Sequence, residues 1–179
     1  MVIRTGRAKL ICLLIATSGL LAGCGGPARV TQNTHPVTFQ LSLDKSTYAR
    51  GESIRISFSL RNTGHQPAWV NKRMFVSGSQ VTNEHREIFL RVSTSSGQSV
   101  DCERSFSAGL PRSDDFMLLE AGQEAVGEQP RDLRADCTLE HPGTYRIVAV
   151  YDNSFGSELG LETVKGPLTS PTVTFSVAE

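Results

Sequence analysis

Hydrophobic and polar positions alternate with a period of two along much of the chain beyond residue 36. The pattern is clearest from Ser53 to Arg61, where Ile54, Ile56, Phe58 and Leu60 interleave with Arg55, Ser57 and Ser59. Strict alternation places one set against a core and the other in water, so this stretch predicts a half-buried strand. Val37 to Leu43 repeats the pattern with Val37, Phe39, Leu41 and Leu43 on one side, and a turn over Asp44 to Glu52 joins the two. Ala68 to Val76, which contains Trp69, predicts a third strand, and Glu87 to Ser93 a fourth with Ile88, Leu90 and Val92 inward. Ser95-Ser96-Gly97 is a hairpin turn signal before a short strand near Val100 and Cys102.

Residues 103 to 115 are serine-rich and charged and read as a loop. Phe116 to Leu119 is short and apolar, Glu124 to Val126 starts another strand after a turn, and Asp132 to Cys137 has room for one helical turn. The segment Leu139 to Asn153, LEHPGTYRIVAVYDN, organises the rest. Pro142-Gly143 marks a turn, and Thr144 to Tyr151 is β-branched and aromatic with the single charge Arg146, a composition suited to a central strand. Tyr145, Ile147, Ala149 and Tyr151 share one face. The spacing of Leu139, Pro142, Gly143 and Tyr145 resembles the tyrosine corner of Greek-key sandwiches, which implies a bond from the Tyr145 hydroxyl to backbone just upstream; the alternative is a plain core aromatic. Asp152 to Ser170 is a long segment between strong strands, and Pro171 to Val177 closes the fold with Val173, Phe175 and Val177 inward. Long loops kept in compact domains are often functional.

Seven or eight short antiparallel strands separated by turn signals, with no convincing helix of ten residues, predict an all-β fold, an immunoglobulin-like β-sandwich over residues 37–179. Leu43 to Ile54, LDKSTYARGESI, resembles the opening of bacterial Ig-like and macroglobulin-type domains, and Pro142 to Ile147 and Ser170 to Val173 extend the likeness. A cousin group resembles small bacterial proteinase-inhibitor domains, which would imply a protease partner. Macroglobulins trap proteases through a thioester cysteine; here Gly127-Glu128-Gln129 follows Val126 without that Cys, so no trap forms.

The N-terminus changes the picture from fold to address. Arg4, Arg7 and Lys9 precede an apolar run from Leu10 to Leu21, too short for a permanent span, so residues 1–23 read as a signal peptide. The run ends Leu21-Ala22-Gly23-Cys24, which resembles the lipobox of bacterial lipoproteins and implies cleavage before Cys24 and lipidation of its thiol and new amino group. Several acyl chains, at about 0.8 kcal/mol per buried methylene, anchor stably where one would not. Gly25 in place of Asp implies, if the source is Gram-negative, sorting to the outer membrane. Residues 24–36 carry almost no apolar content beyond the lipidated Cys and read as a flexible tether.

Cleavage removes Arg4, Arg7 and Lys9 and leaves 15 basic against 18 acidic side chains, a net −3. Nucleic acid is excluded as a partner, because phosphate affinity needs clustered Lys and Arg and these are scattered. Of four cysteines, Cys12 leaves with the signal and Cys24 takes the lipid. Cys102 and Cys137 remain, and an oxidising exported compartment predicts a disulfide between them.

No Gly-x-Ser-x-Gly elbow occurs, and His35, His65, His85 and His141 have neither Asp nor Ser at motif spacing, nor ligand spacing to the cysteines. Asp114-Asp115 and Asp152-Asn153-Ser154 offer oxygen ligands of the calcium type, though paired loop acids are ordinarily only solvated. Trp69, helped by Phe155, offers a stacking platform for sugar, against the simpler role of a core plug. Lys72-Arg73, Arg131 and Arg134 read as solubilising. The expectation is therefore a non-catalytic envelope lipoprotein, without cofactor or metal, anchored in membrane and binding an envelope protein. The alternative is a protease inhibitor acting through an extended loop at 152–170.

Overall fold

A computed structural model describes residues 36–76, 87–102, 109–127 and 130–179 of the 179-residue chain. The signal peptide, Cys24, most of the tether, His35, His85 and the Glu128-Gln129 pair lie outside the described residues.

The described residues fold as an all-β sandwich. The strands are β1 (Val37–Leu43), β2 (Thr47–Tyr48), β3 (Arg55–Asn62), β4 (Ala68–Asn71), β5 (Ile88–Thr94), β6 (Ser99–Val100), β7 (Phe116–Leu119), β8 (Glu124–Val126), β9 (Arg131–Asp132), β10 (Gly143–Tyr151), β11 (Leu168–Thr169) and β12 (Val173–Val177). Four of the twelve are two-residue pairings, which leaves eight strands of three residues or more. The only helical segments among the described residues are α1 (Leu133–Asp136) and two single 3-10 turns.

One sheet runs β1-β3-β8, with β9 also on β3; the other runs β2-β12-β10-β5-β6, with β11 on β10; β4 and β7 pair separately. β10 has β5 on one side and β12 on the other, the central place that its β-branched and aromatic composition predicts. β2 departs from the antiparallel rule by pairing parallel to β12 at Ser176 and Val177. It lies in the stretch read as a turn, because two residues carry no periodicity.

Alternation decides what is buried. Ile56, Phe58 and Leu60 of β3, beside Phe39 and Leu41 of β1 in the same sheet, share the core with Tyr145, Ile147, Ala149 and Tyr151 of β10 in the other sheet. The Phe39 ring stands 5.8 Å from Phe58 and 5.7 Å from Tyr151, so these aromatics join the two sheets. Val37, Phe39 and Tyr151 lie together at one end. At the other end, Tyr48 and Tyr145 pack on Phe175 at 6.1 and 5.4 Å.

Cys102 and Cys137 form the disulfide, joining the chain beyond β6 to the C-terminal end of α1. Asp132 caps α1 by accepting from Arg134 N, and its carboxylate also accepts from Ile54 N at 3.1 Å. The arginines read as solubilising have structural partners instead. Arg131 donates to Asp136 through Nε and Nη2 at 2.5 and 2.7 Å, and Arg134 donates to the carbonyls of Glu52 and Leu139 at 2.7 and 2.6 Å. A guanidinium presents five donors in a fixed fork, which lets it close a turn as well as dissolve a surface.

Candidate functional site

The segments singled out for possible chemistry converge at the end of the sandwich where β10 finishes. β10 delivers Tyr151, β4 delivers Trp69 and Asn71, and the chain beyond β10 folds back between them. Asn153 is 1% exposed and organises the junction. Its amide Nδ2 donates to Phe155 O at 3.0 Å, Val164 O at 3.2 Å and Thr163 Oγ1 at 3.3 Å. Its Oδ1 accepts from Phe155 N and from Asn71 Nδ2, both at 3.3 Å. The Tyr151 hydroxyl accepts from Asn71 N at 3.1 Å and is placed 3.3 Å from Asn71 O. Burial, the main influence, pushes the Tyr151 phenol well above its ordinary value. A buried polar group costs little only when it is bonded, and here each supports the next.

Residues 153–165 consequently form a closed loop rather than an extended one. Val164 N donates to Trp69 O at 2.8 Å, and Trp69 and Thr163 form a parallel bridge, so the loop is stitched to β4. Thr163 Oγ1 donates to Phe155 O at 2.6 Å, and Lys165 Nζ donates to the carbonyls of Ser154 and Phe155 at 2.9 and 2.7 Å. Gly156 has φ +118°, and a Cβ there would lie 2.4 Å from Thr163 Cγ2, so only glycine fits. The tip is the 3-10 turn Ser157–Leu159, with Leu159 41% exposed. Backbone N–H groups of Gly156 and of Glu158 itself hold the Glu158 carboxyl below its ordinary value. The segment read as an extended loop at 152–170 is thus folded back on β4 over residues 153–165.

The other sequence-predicted residues find plainer places. Trp69 is half-buried on β4, opposite Leu118 of β7. Phe155 is buried and cannot share a stacking platform with it. Asn153 points inward and Asp114 stands exposed, and among the described residues no group of three His, Cys, Asp or Glu is placed to hold a metal ion. His65 and His141 are exposed.

Sequence reasoning missed two features. Glu87 is completely buried, accepting from Arg73 Nε at 2.8 Å, from Arg73 Nη2 and from Phe75 N at 2.9 Å, while its carbonyl accepts from Asp152 N. It ties the start of β5 to the residues beyond β4 and to the foot of the loop. An open groove of about 950 Å³ runs at the same end between Thr38 to Gln40 and Thr169 to Pro171, with Arg61 and His65 on its border. Neither carries a sequence signal, since Glu87 opens a strand and the groove joins segments distant in sequence.

No family model and no curated protein matches the chain. Among solved structures it is similar to the β-glucosidase EmGH1 of Erythrobacter marinus, with 18% identity over 79% of this chain and 15% of that one and a TM-score of 0.38. It is likewise similar to a β-glucosidase of Listeria innocua, with 13% identity over 80% and 16% and a TM-score of 0.38. A third is the Bacillus subtilis protein YcdA, described as a candidate lipoprotein, with 14% identity over 79% and 34% and a TM-score of 0.28. The chain spans about one sixth of the length of the β-glucosidases.

These neighbours correct the expectation that the chain is not an enzyme. The physical error was to infer inactivity from the lack of short motifs, when function resides in sites that a sandwich can carry within a larger enzyme. At these TM-scores the likeness carries no argument for an activity of this chain. Among the described residues no helix is long and apolar enough to cross a membrane, which says nothing of a β-barrel. A candidate lipoprotein among the neighbours fits an anchored chain without arguing for one.

Proposed function

We propose that the chain is an envelope lipoprotein anchored through Cys24, in the outer membrane of a Gram-negative source, whose immunoglobulin-like sandwich is a protein-binding module. Its contact surface is the closed loop 153–165 beside Trp69. The observation that carries this reading is the buried Asn153 junction, which fixes the loop while leaving its tip in water. A surface ordered before binding loses less entropy on association than a loop that must be ordered by the partner. Leu159 at the tip and the half-buried Trp69 offer the apolar and aromatic contacts that interface centres favour.

The test uses the full chain in its native membrane, with a photo-crosslinking side chain at Leu159 or, as a control, at Arg50. A discrete protein adduct from position 159 and none from position 50 is expected. Equal adduct patterns from both positions, or none from either, would overturn the reading.

A further inference from the structure

The register of the sheets fixes which end of the domain the anchor enters. Val37 pairs with Asn62 at the start of β1, and Pro36 O just before it accepts from Thr63 N, Gly64 N and Thr63 Oγ1 at 2.6, 3.0 and 2.9 Å. A Cβ on Gly64 would come within 2.5 Å of Pro36, so the chain enters through a tightly fitted point. That point is at the Tyr151 end of β10, because Phe39 reaches Tyr151 at 5.7 Å and the groove joins Thr38 to Thr169. Tyr151 leads directly into the Asn153 loop. The entry point and the loop 153–165 therefore share one end, while His141, the Ser95–Gln98 turn and the Lys45–Glu52 turn occupy the other.

Length makes this placement consequential. The twelve residues from Gly25 to Pro36 reach at most about 40 Å when fully stretched. β10 alone, nine residues, spans about 30 Å between the two ends. For the His141 end to face the bilayer, the linking segment would have to run back along the whole domain, leaving about 10 Å to reach the lipid. For the loop end to face it, no such return is needed.

We infer that the end bearing Trp69 and the loop 153–165 faces the bilayer that holds Cys24, so that its partner is a protein embedded in that same membrane. The inference rests on the lipoprotein reading and adds to it an orientation and a partner class. The loop does not dock on the lipid itself. It carries Glu158 and Glu162, with Asp152 at its foot, while the Lys165 ammonium is taken up by the carbonyls of Ser154 and Phe155, a charge balance that anionic headgroups disfavour.

Trp69 is the chain's single tryptophan, so the orientation can be read directly. The full chain, purified from membranes and reconstituted into phosphatidylcholine vesicles containing a dansyl-headgroup lipid, is compared with Trp69→Phe/His141→Trp, in which the donor sits at the opposite end. Vesicle flotation, with Cys24→Ser as the unanchored control, is measured on the same samples. Flotation with energy transfer severalfold stronger from Trp69 than from position 141 is the expected result. Flotation with equal or stronger transfer from position 141 overturns the orientation and leaves the anchor standing. Failure of the wild-type chain to float overturns the anchor reading and the orientation with it.

Discussion

The Tyr145 hydroxyl donates to the carbonyl of His141 at 2.5 Å, four residues upstream, which is the bond that defines a tyrosine corner. Its ring stacks on Phe175, and Tyr48 meets the opposite side of that neighbourhood edge-on. Tyr48 makes a corner of its own: its hydroxyl lies 2.7 Å from Asp44 Oδ1, 3.0 Å from Lys45 O and 3.1 Å from the donor Lys45 N. Two tyrosines thus close the same end of the core by the same device. Tyr145→Phe removes one neutral bond and should cost about 1 kcal/mol, whereas Tyr48→Phe also removes a bond to a carboxylate and should cost more. Urea unfolding of both variants measures the order, and a larger loss for Tyr145→Phe would contradict it.

The Tyr48 corner also has a pH signature. Burial, with help from the bonded Asp44 carboxylate, raises the Tyr48 phenol from its ordinary 10.0 to about 12. Because the folded state keeps this proton longer than the unfolded chain, its contribution is complete below pH 10 and is lost as pH climbs toward about 12. The Tyr48 hydroxyl in turn is the main cause that lowers the Asp44 carboxyl. That contribution has the opposite sense: it is present above the ordinary carboxylate range and disappears as pH falls through the lowered value. In Tyr48→Phe, the Asp44 carboxyl should titrate closer to its ordinary value by NMR, and the alkaline loss should shrink.

Reduction of the disulfide should be the largest reversible destabilisation. Cys102 and Cys137 are 35 positions apart, and a loop of that size contributes about 4 kcal/mol on the chain-entropy account. Dithiothreitol, or Cys102→Ser with Cys137→Ser, should lower the urea midpoint without changing the folded spectrum. Unchanged midpoints would mean that residual structure in the reduced, unfolded chain already keeps the two positions close.

The strands were legible because their chemistry is periodic. Val37 to Leu43 and Ile54 to Leu60 bury every second side chain, and Thr144 to Tyr151 is apolar enough to demand neighbours on both sides. Asn71, Glu87 and Asn153 defeated the same reasoning, since polar residues are ordinarily read outward and these are at most 1% exposed. What buries them is pairing across 14 to 82 positions, which no local window contains. The Cys102–Cys137 bond was accessible by elimination, but Arg131 with Asp136 and Arg134 with Glu52 O needed the turn of α1 to bring them together.

The loop on which the proposed surface depends should fail at Gly156. Alanine there combines a φ of +118° with a Cβ 2.4 Å from Thr163 Cγ2 and 2.6 Å from Thr163 Oγ1, the atom that donates to Phe155 O. Strain and displacement together should cost about 2 to 3 kcal/mol. Because the bonds lost are local, amide exchange should accelerate through 153–165 while the amides of β10 and β12 keep their protection. Uniform acceleration across both would show that the loop unfolds only with the whole domain.

Glu87 joins that loop to the body of the sandwich, and its replacement tests whether the two are one mechanical unit. The carboxylate is fully buried, whereas the Arg73 side chain that pairs with it is 18% exposed and also donates to Gly109 O at 3.3 Å, so removing the acid takes away the charge partner of a cation that has only partial access to water. Breaking one partner of such a pair costs about 3 to 5 kcal/mol, more than the pair adds when intact, because desolvation of the remaining charge is no longer offset. Glu87→Gln keeps an oxygen able to accept from Phe75 N but lacks the charge for Arg73, so it should fall near the lower end of that range. Glu87→Ala loses both and should fall at the upper end. The Glu87 backbone carbonyl, which holds Asp152 N at 2.8 Å, is kept in either variant. If the side chain steadies the loop through β5, both variants should raise exchange at Asp152 and Asn153 in proportion to their stability loss. If exchange there stays unchanged while global stability falls, the Arg73–Glu87 pair holds only the β4–β5 connection, and the loop depends on Asn153 alone.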